Sequence, residues 1–194
     1  QQEIDKQEIH KVNEKYNVFN NFLLYVGTIE ERKNLLTLLQ SLKQLPRHNL
    51  IIIGDGKKYK QECMRYIKEN NLEQRINVLS GLTLHEMACM YQQAQILIYP
   101  SLFEGFGIPI LEAFSSGVPV ITSNTSSMPE VAGDAAIVID PNDTNEIVGA
   151  MHSIVSDESR REHLISKGFK RTNDFDWDRT AEIVYNCLMK VAKV

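Results

Sequence analysis

The chain has 194 residues, 43% hydrophobic and 24% charged, with a formal net charge of −4. That is enough chain for one domain with its own core and barely enough for two. The acidic balance excludes a general nucleic-acid binder, which needs a basic face for phosphates, but it leaves room for a local basic pocket. Cys63, Cys89 and Cys187 have neither zinc-finger spacing nor the pattern of a disulfide framework, and they read as free thiols of a reducing cytoplasm. No apolar run approaches the ~20 residues of a membrane span. The polar opening, residues 1–10, is not a signal peptide, and it starts without Met, as an excised piece would.

In chain order, residues 1–16 are charged, with Ile4, Ile9 and Val12 roughly on one helical face. They predict a linker helix, assigned to 1–20, that leads into a domain over 21–175. Residues 22–26 (FLLYV) form a short apolar run that ends at Gly27, the mark of a buried strand. Leu35, Leu36, Leu38, Leu39 and Leu42 follow at helical spacing. The rhythm then repeats. Strands are predicted at 50–53, 76–79, 96–99, 118–122 and 136–139, and helices at 58–70, 84–93, 108–116 and 144–155. After Ser156 the pattern is helical only, over 158–169 and 177–191, with Asp174 or Asp176 capping the last helix.

Strand–helix alternation with short connections predicts a Rossmann-like, three-layer α/β/α fold with a mostly parallel sheet of about six strands. Such sheets bind ligands beyond the carboxyl ends of their strands. The loops after Val26, Ile53, Leu79, Tyr99 and Thr122 are therefore where chemistry should be sought.

Two of those loops stand out. The stretch 100–113, PSLFEGFGIPILEA, follows a strand and opens a helix. Gly105 and Gly107 permit close backbone approach and unusual dihedrals, and Pro109 suits a first helical turn. Amides there point outward at the positive end of the helix dipole, which makes an anion site. Glu104 and Glu112 bracket it. A carboxylate beside a phosphate site is electrostatically awkward, but it can accept two adjacent sugar hydroxyls. The other reading of the pair is as acids stabilising the helix dipole. The second loop, 27–34 (GTIEERKN), carries Arg32 and Lys33 near a helix start, where cations oppose the dipole unless an anion is close. On this segment alone, a solvated basic pair shielded by Glu30 and Glu31 is the better reading.

Weaker features are Gly54-Asp55-Gly56, a plain turn in preference to a phosphate loop, His85, an exposed helical residue in preference to a catalytic base, and the polar loop 123–127, which faces either phosphates or solvent. Trp177 is expected to pack the last helix onto the body. No Asp-x-Asp arrangement suggests a bound metal.

The glycine loop with acids at 104 and 112 resembles the E-x7-E signature of retaining glycosyltransferases of the GT-B fold, family 4 (glycosyl transferase group 1). The likeness continues through Ala113, Gly117, Val118-Pro119-Val120 and Met128-Pro129-Glu130-Val131, and includes Tyr25-Val26-Gly27-Thr28 to Arg32-Lys33-Asn34. It covers nearly the whole chain from Asn21 and implies the C-terminal, donor-binding half of such an enzyme.

The resemblance implies that Glu104 holds hydroxyls of the donor sugar. The glycine loop, with the amides of Phe106, Gly107 and Ile108 beside Gly105, would meet the sugar and diphosphate. Glu112 would bind the ribose, and Arg32 and Lys33, beside Gly27 and Thr28, would neutralise the leaving diphosphate. The base would pack near Leu79 to Leu82. Thr28 departs from the family, many members of which carry Arg there.

The implied donor is a nucleoside diphosphate sugar, GDP-mannose or a UDP-sugar, with no further cofactor and no metal. The implied partner is an absent N-terminal acceptor domain, to which the last helix, 176–194, would cross. The full protein would work in the cytoplasm, at the inner face of a membrane, with peripheral association. Two rival readings share the fold: a sugar-nucleotide epimerase half-domain and a non-catalytic nucleotide-binding module.

Overall fold

Five successive apolar residues suit a strand covered on both faces. The computed structural model, which describes residues 4–192, gives β1 (Phe22–Val26) that setting, with every side chain out of solvent. The other strands are β2 (Asn49–Ile53), β3 (Ile76–Leu79), β4 (Ile96–Tyr99), β5 (Val120–Ser123) and β6 (Ile137–Ile139). Among the described residues these six form one sheet in the order β3-β2-β1-β4-β5-β6, and all neighbours pair in parallel. The fold class expected from the alternation is the one observed.

The period-2 pleat sorts each strand onto two cores. Leu23, Tyr25, Leu50, Ile52, Ile96 and Ile98 meet α2 (Leu35–Lys43), α3 (Lys58–Glu69) and α7 (Thr144–Val155) on one face. Phe22, Leu24, Ile51, Leu97 and Tyr99 meet α1 (Lys6–Tyr16), α4 (Leu84–Gln93), α5 (Ile108–Ser115) and α6 (Met128–Ala132) on the other. The chain closes with α8 (Glu158–Thr172) and α9 (Trp177–Ala192). Among the described residues no helix is long and apolar enough to cross a membrane.

Several sequence expectations shift. The strand expected over 118–122 begins at Val120, because Pro119 has no N–H to give the ladder and Val118 donates back to the carbonyl of Ala113, closing α5. The short helix α6 was not foreseen, since five residues show too little period. The first helix is docked on the body. Lys15 pairs with Glu86 at 2.6 Å, Asn13 and Gln93 exchange amide hydrogen bonds, and Val12 is buried. Residues 1–3 of the assigned linker, and 193–194 of the last helix, lie outside the described residues.

Trp177 does not pack α9 onto the body: its side chain is 80% exposed, and no residue of α9 is buried. The helix carries an apolar face of Ile183, Val184, Tyr185 and Leu188 into solvent. Asp176 caps it by accepting from the amides of Asp178 and Arg179, as one of the two expected caps. A large aromatic side chain seeks cover, but it can equally serve a partner surface.

The turn at Gly54-Asp55-Gly56 proves to be a place of close approach. A Cβ on Gly54 would lie 1.9 Å from the carbonyl oxygen of Gly27, and one on Gly56 would lie 2.2 Å from that of Ile29. The loop after β2 is thereby pressed against the loop after β1, with Ile29 donating to the carbonyl of Asp55 at 2.8 Å. Gly54→Ala must push backbone apart and is expected to lose about 1–3 kcal/mol of stability or more. Gly149→Ala, in the open on α7, is expected to gain up to ~1 kcal/mol. Urea unfolding of the two variants beside the parent measures both.

Candidate functional site

The strand order reverses between β1 and β4, so the connections leaving their carboxyl ends diverge and open a crevice. The loop after β1 supplies Arg32 and Lys33. The loop after β4 supplies the glycine stretch with Glu104. The cations sit in a 3₁₀ turn, Glu31–Lys33, separated from α2 by Asn34 in the left-handed region (φ 56°). Asn34 holds that bend by donating to the carbonyl of Pro141 at 2.7 Å and accepting from Thr37 at 2.6 Å. Gly27 has a φ of +146°, open to glycine, and the Lys33 chain lies over it.

The two loops are joined backbone to backbone by the amide of Leu102 donating to the carbonyl of Arg32 at 2.7 Å. Their side chains then converge. Lys33 Nζ is 2.5 Å from Glu104 Oε1, an ion-pair contact without good hydrogen-bond angles. Lys33 also donates to the hydroxyl of Tyr99 at 2.8 Å. Arg32 Nη1 reaches Glu104 Oε2 at 3.2 Å and the carbonyl of Phe103 at 3.3 Å. The reading of Arg32 and Lys33 as a solvated pair therefore fails for Lys33, which is buried along with Glu104, and holds only for the half-exposed Arg32.

Burial by itself would push the Glu104 carboxyl up, but Lys33, Ser101 and Tyr99 together hold it below the usual carboxylate range. Burial lowers and the Glu104 charge raises the Arg32 guanidinium, with the charge prevailing. The Tyr99 phenol is raised, first by burial and then by Glu104.

Gly107 caps α5 in the left-handed region at φ 111°, where only glycine sits easily, and Pro109 lies in the first turn as expected. No hydrogen bond within the described residues uses the amides of Phe106, Gly107 or Ile108. Gly105 has nothing within 4 Å of a built Cβ, so the fold itself places no demand for glycine there. The polar loop 123–127 turns three of its hydroxyls to the glycine loop. Ser126 and Ser127 donate to the carbonyl of Glu104 at 2.6 and 3.0 Å, Ser127 to that of Phe106 at 2.7 Å, and Thr125 to that of Leu102 at 3.0 Å. Those serines lace the glycine loop into its shape.

Glu112 sits one turn into α5, exposed, with Oε2 accepting from Tyr91 at 2.7 Å. Phe106, Ile108 and Glu112 line a cavity of about 900 Å³ that runs between α4, α5 and α9. Arg32, Lys33 and Glu104 are not among its walls. Leu79 and Leu82 pack partly buried against the core, and the Leu79 carbonyl is taken by the amide of Gly54 at 2.8 Å. Leu79 also borders a separate cavity of about 390 Å³ beside Tyr16 and Asn77. Thr28 is exposed beside Gly27. His85 lies exposed on α4, 3.4 Å from Glu8. Sequence reasoning missed Tyr99, Tyr91, Ser101 and the lacing serines. Tyr99 alone carried a signal, as a polar-tipped residue at the carboxyl end of a central strand.

This geometry is that of a doubly wound domain with an acid, two cations and free helix-start amides gathered at its switch point. The chain matches the model of glycosyl transferases group 1 over residues 5–171 and belongs to that family. It is 37% identical over 173 residues to the O-antigen chain mannosyltransferase B of Escherichia coli, which covers 86% of this chain and 45% of that protein. It is 28% identical over 186 residues to the O-antigen chain mannosyltransferase RfbU of Salmonella typhimurium, covering 95% of this chain and 50% of that one. Among solved structures, Anabaena Alr3699/HepE in complex with UDP and glucose superposes with a TM-score of 0.86 at 20% identity, over 96% of this chain and 53% of the other. A sucrose-phosphate synthase from Thermosynechococcus elongatus gives 0.83 at 24%, over 95% and 49%. The chain thus spans about half the length of these relatives and has the fold of one half of a GT-B protein.

Because its carboxyl is depressed on folding, Glu104 contributes stability that is fully present above its unfolded value of roughly 4.3 and is lost as pH falls through the lower folded value. Glu104→Gln strands Lys33 and is expected to cost about 3 kcal/mol at neutral pH. That gap should narrow as pH falls below ~4, where the parent protonates too. Melting temperatures of both proteins between pH 7 and 3 measure it.

Proposed function

We propose that this chain is the donor-binding half of a retaining hexosyltransferase that moves mannose from a nucleoside diphosphate sugar, GDP-mannose, to a glycan or lipid-linked acceptor. The observation that carries the reading is the contact of Lys33 and Arg32 with Glu104 across the loops after β1 and β4, in a stretch that leads into the unpaired amides at the start of α5. The mannosyltransferase names of the relatives support the sugar. The UDP and glucose held by a protein of the same fold support a nucleotide-sugar donor.

In this reading the arriving diphosphate exchanges partners with Glu104. Arg32 and Lys33 turn from the carboxylate to the phosphates, and the freed carboxylate accepts hydroxyls of the sugar. The amides of Phe106, Gly107 and Ile108 complete the anion site, and Gly105 is glycine because the ligand comes close there. Glu112 grips the ribose, and the base lies toward the loop of Leu79 and Leu82. As the glycosidic bond breaks, negative charge grows on the diphosphate. Fixed donors aimed at such charge contribute about 2.7–4 kcal/mol each. The acceptor arrives on the same face of the sugar, so the anomeric configuration is retained.

The acceptor site belongs to an N-terminal domain that makes up the other half of the protein. The exposed apolar face of α9 is the surface that would cross to it. The lipid-linked acceptor would bring the whole enzyme to the cytoplasmic face of a membrane. The chain alone is expected to bind donor and transfer nothing.

Calorimetric titration of GDP-mannose, UDP-glucose, GDP and UDP tests this. GDP-mannose should bind more tightly than UDP-glucose. Lys33→Ala should weaken sugar nucleotide and free nucleotide alike, by about 1.5–3 kcal/mol. Glu104→Ala should weaken the sugar nucleotide while leaving free nucleotide equal or tighter, because it no longer competes for the cations. Equal weakening of both ligands by Glu104→Ala would remove its sugar role.

A further inference from the structure

Glu112 stands on the exposed side of a helix, where a glutamate ordinarily samples several rotamers and pays for its immobilisation when it binds. Here it is not free to do so. Tyr91, from the last turn of α4, is 2% exposed, and its hydroxyl donates to Glu112 Oε2 at 2.7 Å. The ring is buried in the second core, which holds the hydroxyl at the Glu112 carboxylate. No hydrogen bond within the described residues uses Glu112 Oε1, and Glu112 borders the large cavity. One carboxylate oxygen is thus anchored from behind and the other is presented.

We propose that Tyr91 is a positioning residue that orients Glu112 for a vicinal diol, and so sets the preference of the site for ribonucleotides over 2′-deoxynucleotides. This rests on the reading of Glu112 as the ribose-binding acid. A carboxylate oxygen accepts two hydroxyls only when its lone pairs are held toward both. The anchored geometry supplies that, and loss of the 2′-hydroxyl removes one of the two bonds. Tyr91 is fitted to the task because burial, and then the Glu112 charge, keep its phenol protonated and donating at any physiological pH.

The test measures the ratio of Kd for a 2′-deoxynucleoside diphosphate to Kd for its ribose counterpart, with guanosine and uridine pairs. Parent, Tyr91→Phe, Glu112→Gln and the double variant are compared, with a thermal melt of each. The parent should prefer the ribose form tenfold or more. Tyr91→Phe should cut that preference at least threefold while changing the deoxy Kd less than twofold, and should have no further effect on the ratio once Glu112 is Gln. Tyr91→Leu is a second hydroxyl-free variant should the phenylalanine protein melt early. If Glu112→Gln abolishes the preference but the Tyr91 variants leave it intact, or weaken both nucleotides equally, the positioning role is overturned and the ribose role of Glu112 stands. If Glu112→Gln leaves the ratio unchanged, the reading of Glu112 falls first and the role of Tyr91 falls with it.

Discussion

A buried carboxylate cannot stay ionised without compensation, and in this domain that requirement ties two loops together. Glu104 is out of solvent, so it is held between Lys33, Arg32 and Tyr99, which come from the other side of the switch point and from the strand below. The contact lies where β1 and β4 diverge. Everything around it serves to keep the two loops within reach: the Leu102–Arg32 backbone bond, the left-handed turn at Asn34, the serines behind the glycine stretch, and the glycines that let the β2 loop press on the β1 loop.

The same ion pair makes the site responsive. Salt bridges inside a protein gain little net free energy when compared with their hydration, so an incoming anion of higher charge competes well for the cations. A site that holds its cations with its own acid is preorganised without being blocked. Arg32, still half-exposed, is the member free to move first. In the proposed function, the acid it leaves behind would lie next to whatever is attached to the anion, and one carboxylate would couple anion recognition to hydroxyl recognition.

Two tyrosines stand behind the two acids, Tyr99 at Glu104 and Tyr91 at Glu112, on the end of β4 and in the last turn of α4. Both rings are buried and both hydroxyls face a carboxylate. A phenol in such a place rigidifies the acid while its ring adds to the core, so site and fold share the same side chains. The apolar face of α9 is the opposite case, left largely in solvent by the part of the molecule described here.

Local chemistry made much of this legible from the sequence. Runs such as FLLYV suit two-sided strands. Leucines at helical spacing suit helices packed on them, and Gly-Phe-Gly-Ile-Pro suits a strand-to-helix turn with its amides outward. Parallel alternation then places the loops after Val26 and Tyr99 at the ligand end. Strand order, however, depends on long-range pairing that no local pattern encodes. The meeting of Lys33 with Glu104, 71 positions apart, was therefore decided by the tertiary structure. So was the burial that turns two polar residues from a solvated pair into a site, the use of loop 123–127 as a brace, and the tyrosines set behind the acids. It also decided against Trp177 as core. Apolar character shows that a residue seeks cover, but only packing geometry shows which surface supplies it.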